Sequence, residues 1–213
     1  MLRAAIGCGD GLRLRVSAGS LAMPARPAPG SRGYTAAIVV AQMLAQTGGF
    51  ALPALLPTYM ARWTLSATEA GWLVGAFFAA YVVMVPILLA LTDRYPAVRV
   101  YLFGTGLTAL SHLGFALVAD GFGSALMFRI LAGAGWAATY MPGLKILADP
   151  LEGTAQSRVV SWHALGVGIS NAASFAIAGW VAALAGVEAA FLVGAAAALL
   201  GRHLLPAPDE SRR

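Results

Sequence analysis

The sequence predicts an all-α membrane protein of six transmembrane helices, and three observations carry that expectation. Charged residues make up 11% of the chain and hydrophobic residues 59%, against about 25% charged in ordinary soluble domains. Apolar stretches near the ~20 residues needed to cross a hydrocarbon core recur from end to end. Those stretches lack period-2 alternation and are rich in Ala, Leu and Gly, which favours helices over strands. With a mean hydropathy of +0.76, a water-soluble chain of 213 residues could not cover its surface with so few charges. A second apolar phase is required, and the bilayer supplies one.

Residues 1–33 are rich in Arg, Pro, Gly, Ser and Ala. They read as a disordered, basic cytoplasmic tail, because Arg13 and Arg15 interrupt the only candidate for the apolar core of a secretory signal. Met23 is an alternative start. The bundle then occupies 34–205. The first helix is expected over 34–58, the second over 69–91, the third over 98–119, the fourth over 122–147, the fifth over 159–184 and the sixth over 187–204. Residues 206–213 read as the start of a cytoplasmic linker.

Orientation follows from the basic residues, which concentrate in cytoplasmic loops. With the N-terminus inside, all 14 Lys and Arg fall on the inner side except Arg62, which is outside, and Arg129, which lies within the fourth helix. Both termini are therefore expected in the cytoplasm of a multi-pass protein of the cell (inner) membrane. The net charge of +5 is explained by this topology. No basic face interleaved with aromatics suggests a nucleic-acid partner. Cys8 is the only cysteine and the three histidines are scattered, so neither a disulfide framework, a metal site nor a cofactor is expected.

An internal repeat is visible. Gly49-Phe50-Ala51 in the first helix matches Gly135-Trp136-Ala137 in the fourth, and Gly71-Trp72 in the second matches Ser161-Trp162 in the fifth, at nearly constant spacing. Two three-helix units, the second inverted by the odd number of crossings, have this pattern, and inverted repeats occur in secondary transporters.

Two segments carry more specific information. After the second helix the chain reads Leu89-Ala90-Leu91-Thr92-Asp93-Arg94-Tyr95-Pro96-Ala97-Val98-Arg99. Asp93 sits against the negative end of a helix dipole and needs a nearby cation, for which Arg94 and Arg99 are the local candidates. In the fourth helix, Arg129-Ile130-Leu131-Ala132-Gly133-Ala134-Gly135-Trp136-Ala137-Ala138 places an arginine about 10 Å inside the outer boundary. An arginine at that depth must pair, snorkel or face water. Gly133 and Gly135, with Gly71 and Gly75 on the second helix, read as close-packing positions.

The loop resembles the signature of the major facilitator superfamily, Gly-x-x-x-Asp-Arg-x-Gly-basic-basic. Asp93 and Arg94 agree, Leu89 and Pro96 replace the glycines, and Ala97 and Val98 replace the basic pair, with Arg99 one place later. The fourth helix resembles the same superfamily's Arg-x-x-Gln-Gly-x-Gly-Ala-Ala, with Ala132 in place of Gln and Trp136 inserted. The fifth helix lacks the Gly-Pro-x-x-Gly-Gly ending of the superfamily's drug–proton antiporters, reading Ser174-Phe175-Ala176-Ile177-Ala178-Gly179 instead.

The resemblance implies the amino-terminal six-helix half of a twelve-helix secondary transporter. In that fold the first, second, fourth and fifth helices line the route and the third and sixth pack outside. Asp93, Arg94 and Arg99 would then form a conformational-gating loop. Arg129, Gln42, Gln46, Thr47, Tyr81, Tyr140, His163 and Asn171 become the substrate or coupling candidates. His163 is expected at a wet inner boundary and His112 in a structural role. Expected partners are the lipid bilayer, a small-molecule substrate with a proton as candidate co-transported ion, and either a missing carboxy-terminal half or a second copy. A self-contained six-helix binding or scaffold protein is the competing class. No enzymatic motif stands out: Gly168-Ile169-Ser170-Asn171 lacks the glycine after the serine that an intramembrane serine protease would carry.

Overall fold

The computed structural model describes residues 30–205, and every regular element in that span is an α-helix. The expected tail before residue 30 and the expected linker from 206 lie outside the described residues. The helices are α1 (Arg32–Gln46), α2 (Ala51–Trp63), α3 (Ala67–Arg94), α4 (Ala97–Val118), α5 (Phe122–Ala148), α6 (Gly153–Ala185) and α7 (Val187–Arg202).

Local chemistry sets the boundaries. Ser31 caps α1, its hydroxyl accepting from the Tyr34 N–H at 3.2 Å. Ser66 and Glu69 form a reciprocal capping box at the start of α3. Ser124 Oγ accepts from the backbone N–H groups of Asp120 and Gly121, closing the short turn from α4 to α5. Gly186 alone separates α6 from α7 at φ +91°, a conformation that a side chain would strain.

Four helical stretches are long and apolar enough to cross a membrane: Arg32–Trp63, taken through its break, Ala67–Arg94, Ala97–Val118 and Gly153–Ala185. The protein is therefore membrane-integral. Two expected spans fall outside this group. α7 has 16 residues, about 24 Å against a ~30 Å hydrocarbon core, and α5 carries Arg129 and Lys145 within its length.

Three sequence expectations are corrected. The first helix is not continuous over 34–58: a turn at 47–50 divides it into α1 and α2. Asp93 and Arg94 belong to the last turn of α3 and Arg99 to the first turn of α4, so the expected loop shrinks to Tyr95–Pro96. Arg158 likewise lies inside α6, which starts at Gly153 rather than near Val159.

The principal contacts join α4 to α5, α3 to α5, α4 to α7, and α1 to both α6 and α7. Backbone approaches are close. A Cβ at Gly104 would lie 2.7 Å from the Ala138 carbonyl carbon, joining α4 to α5, and one at Gly201 would lie 2.8 Å from the Ala41 oxygen, joining α7 to α1. Gly133 meets the Phe77 carbonyl and Gly135 meets Thr108 in the same way, as expected of packing glycines. Gly71 and Gly75 do not: a Cβ at either finds open space, so neither is needed for helix approach among the described residues. α3 and α6 are the peripheral helices, their most apolar windows 22% buried against 50% for α4.

Candidate functional site

The turn at 47–50 is the organising feature, and backbone groups at and beside it are satisfied by its own Thr47 and by side chains from α5 and α6. Met43 C=O accepts from Thr47 Oγ1 at 2.9 Å and from Ser170 Oγ on α6 at 2.8 Å. The Phe50 N–H donates to Ser174 Oγ, also on α6, at 3.1 Å. Gly49 C=O would accept from residue 53 in a continuous helix, but residue 53 is proline and has no N–H. Arg129 Nη1 on α5 donates to that carbonyl at 3.4 Å instead. A break at membrane depth is tolerated where neighbouring helices supply the missing partners.

Arg129 is 1% exposed. Besides Gly49 it donates through Nε to Leu73 C=O on α3 at 3.2 Å, and its guanidinium lies 4.4 Å from the centroid of the Phe77 ring. Its burial excludes snorkelling, and among the described residues it meets no carboxylate. Two carbonyl dipoles and an aromatic face hold the charge, the partners a guanidinium accepts when desolvated. His112 packs beneath the same break, its ring against Gly48 and 6.1 Å from that of Phe191.

From the break an aromatic wall extends across the helices. Phe50 lies 5.4 Å from Phe175 on α6, 6.3 Å from Phe78 on α3 and 6.1 Å from Trp136 on α5, centroid to centroid. The series continues from Trp136 to Tyr81 at 5.2 Å, to Tyr140 at 6.3 Å and to His163 at 5.2 Å. Phe78 and Phe175 are 39% and 44% exposed, so the wall has an open face. Trp136 Nε1 in the wall, and Oδ1 of Asn171 four positions before Phe175 on α6, are buried without a hydrogen-bond partner among the described residues.

A second polar group is fully enclosed. Gln42, Tyr101 and His163 are at most 1% exposed, and the Gln42 amide, the Tyr101 hydroxyl and His163 Nε2 all lack partners among the described residues. They converge on Gly143: a Cβ there would lie 2.6 Å from Gln42 Oε1, 3.1 Å from the Tyr101 ring and 3.5 Å from His163 Nε2. His163 is thus enclosed rather than at a wet boundary. Gln46 is equally buried and unpartnered. Unsatisfied groups of this kind are expensive in an apolar medium and mark sites for water or ligand.

At the end of the bundle where α3 meets α4, Asp93 Oδ1 lies 3.9 Å from Lys145 Nζ on α5, and Lys145 also lies 3.4 Å from Asp149. The partner of Asp93 thus includes a cation from another helix that local sequence could not identify.

The structure therefore gathers Thr47 and Arg129 at the break, Tyr81, Tyr140 and Asn171 on or beside the wall, and Gln42 with His163 behind it. Phe50, Phe78, Trp136, Phe175, Ser170 and Ser174 were not among the sequence candidates. Same-face spacing was an available signal for some of them: Phe78 with Tyr81, Trp136 with Tyr140, and Ser170 with Ser174.

Comparison with known families agrees with these features: the family model for the Major Facilitator Superfamily matches residues 38–212. A comparison with curated proteins returns no match.

Proposed function

This chain belongs to the major facilitator superfamily, and from that premise we propose that it moves a small solute across the cell membrane by alternating access, with the aromatic wall as its side of the solute route. The observation that carries the proposal is the half-open wall itself. Three helices and the break contribute rings to one face, buried polar atoms without partners lie among or beside them, and the break sits at its head. A pocket lined by aromatic surface with a few convergent polar groups is the usual form of a small-molecule site. Broken helices beside the site are a recurring device of secondary transporters.

In this proposal the chain spans the bilayer six times, with α5 and α7 as the fourth and sixth spans and both termini cytoplasmic. α5 crosses because the Arg129 charge is enclosed by α3 and the break rather than presented to lipid. Pairwise packing supports a 3+3 inverted repeat. α4 packs on α5 as α7 packs on α1, and α3 on α5 as α6 on α1, while α4 and α7 meet across the relation. The exposed faces of α3 and α6 would then meet a second six-helix body, supplied by a longer chain or by a second copy. The Asp93–Lys145 contact, with Arg94 and Arg99 beside it, ties α3 to α5 at the cytoplasmic end and would release during the transport cycle.

A solute-panel thermal-shift screen tests the proposal, with counterflow into proteoliposomes as the readout for each hit. The expected result is a solute that stabilises the wild type but not Phe175→Ala, and that exchanges across wild-type vesicles only. Exchange that is unaffected by Phe175→Ala and by Asn171→Leu would remove the wall from the route.

A further inference from the structure

An open groove of about 640 Å³ runs between α1 and α6 at the end of the bundle where both helices begin. Ala36, Val39, Val40 and Val159 form its apolar walls. Leu151 closes one end by packing over Gly30, and Trp162, 53% exposed, flanks the other side. Arg32 and Arg158 are the charged residues in its lining, and no carboxylate joins them there. Among the described residues neither arginine takes part in an ion pair or hydrogen bond. The groove is separate from the aromatic wall, sharing no residue with it.

We propose that this groove binds an anionic phospholipid, with the phosphate between Arg32 and Arg158 and an acyl chain along Val39, Val40 and Trp162. Three features select that occupant. Two guanidinium groups line the same groove without acidic partners there, and guanidinium donors suit phosphate oxygens. The surface next to them is apolar and partly exposed, which a free inorganic anion would leave wet. The groove also lies at the end where basic residues gather, the level at which headgroups sit and where basic pockets between transmembrane helices recruit anionic lipids. A tryptophan at the same level is a usual companion of the headgroup region.

Native mass spectrometry of the purified full chain tests the proposal, using equal amounts of phosphatidylglycerol and phosphatidylcholine with matched acyl chains. The wild type is expected to retain phosphatidylglycerol at least fivefold over phosphatidylcholine. Arg32→Gln with Arg158→Gln should abolish that preference, and each single change should reduce it, so the result does not hinge on the double variant folding. Arg62→Gln with Arg202→Gln removes the same charge outside the groove and should leave the preference intact. Excess glycerol 3-phosphate should not displace the lipid. Equal retention of the two lipids, an equal loss in the control pair, or displacement by glycerol 3-phosphate each overturns the proposal. The first outcome means no site, the second a diffuse electrostatic effect, and the third a headgroup-only anion site.

Discussion

Replacing Arg129 with methionine should loosen the break at 47–50 without unfolding the bundle. Methionine keeps much of the side-chain volume but removes the two donors and the charge. Hydrogen bonds from a charged group contribute about 1.5–3 kcal/mol each. The bond to Gly49, at 3.4 Å, belongs at the low end, and the contact with Phe77 adds about 1–2 kcal/mol in a desolvated site. The gross interaction is then roughly 5 kcal/mol, against about 2.5–3.5 kcal/mol for holding an arginine at membrane depth. The net is about 2 kcal/mol, which is on the order of a 30-fold shift in the local opening equilibrium. Hydrogen exchange on protein in nanodiscs measures this directly. Amides of 47–51 should exchange about 30-fold faster in Arg129→Met, with α4 and α7 unchanged and insertion equal to wild type. Unchanged exchange at the break would show that Ser170, Ser174 and Thr47 hold it without the arginine. Uniform acceleration in every helix would show that Arg129 supports global stability instead.

Other substitutions separate packing from function. Gly104→Ala should lower the thermal midpoint of the bundle, costing about 1–3 kcal/mol, because the new methyl meets the α5 backbone at Ala138; Gly71→Ala, facing open space, should leave it unchanged or slightly raised. Gln42→Leu should leave stability equal or higher, since a buried amide without partners is replaced by an apolar group of similar size. The same change should reduce counterflow, whereas a fall in thermal midpoint with full counterflow would mean that the amide serves only the fold. Arg62→Ala, which breaks an exposed ion pair with Glu188, should leave the thermal midpoint unchanged within error.

Helix content and most boundaries were legible in the sequence because membrane helices announce themselves through length and composition. The family was legible from Asp93-Arg94 and the Arg129 segment. The division of the first helix was harder to read, since its causes are distributed. Pro53 removes a donor locally, but the groups that make the break tolerable are Ser170, Ser174 and Arg129, each at least 80 positions away. The contact of Asp93 with Lys145 was hidden for the same reason. Arg129 was recognised as unusual from its depth alone. Its mode of burial, against carbonyl oxygens and a ring rather than a carboxylate, could not be deduced from neighbours in sequence. Gly71 and Gly75 show the converse: their residue type suggested close packing, but among the described residues both face open space on the exposed side of α3.

Whether the aromatic wall faces an aqueous route is tested most directly by cysteine accessibility in intact membranes. Cys8 is the only native cysteine, so a Cys8→Ser background isolates each introduced thiol. Asn171→Cys and Phe175→Cys should react with a membrane-impermeant maleimide. Leu110→Cys, on an α4 side chain away from both helix ends and 58% exposed on the outer surface of the bundle, should stay unlabelled within the lipid. Silence at 171 and 175, or labelling at 110 to the same extent, would contradict the assignment of this wall as the path of a transported solute.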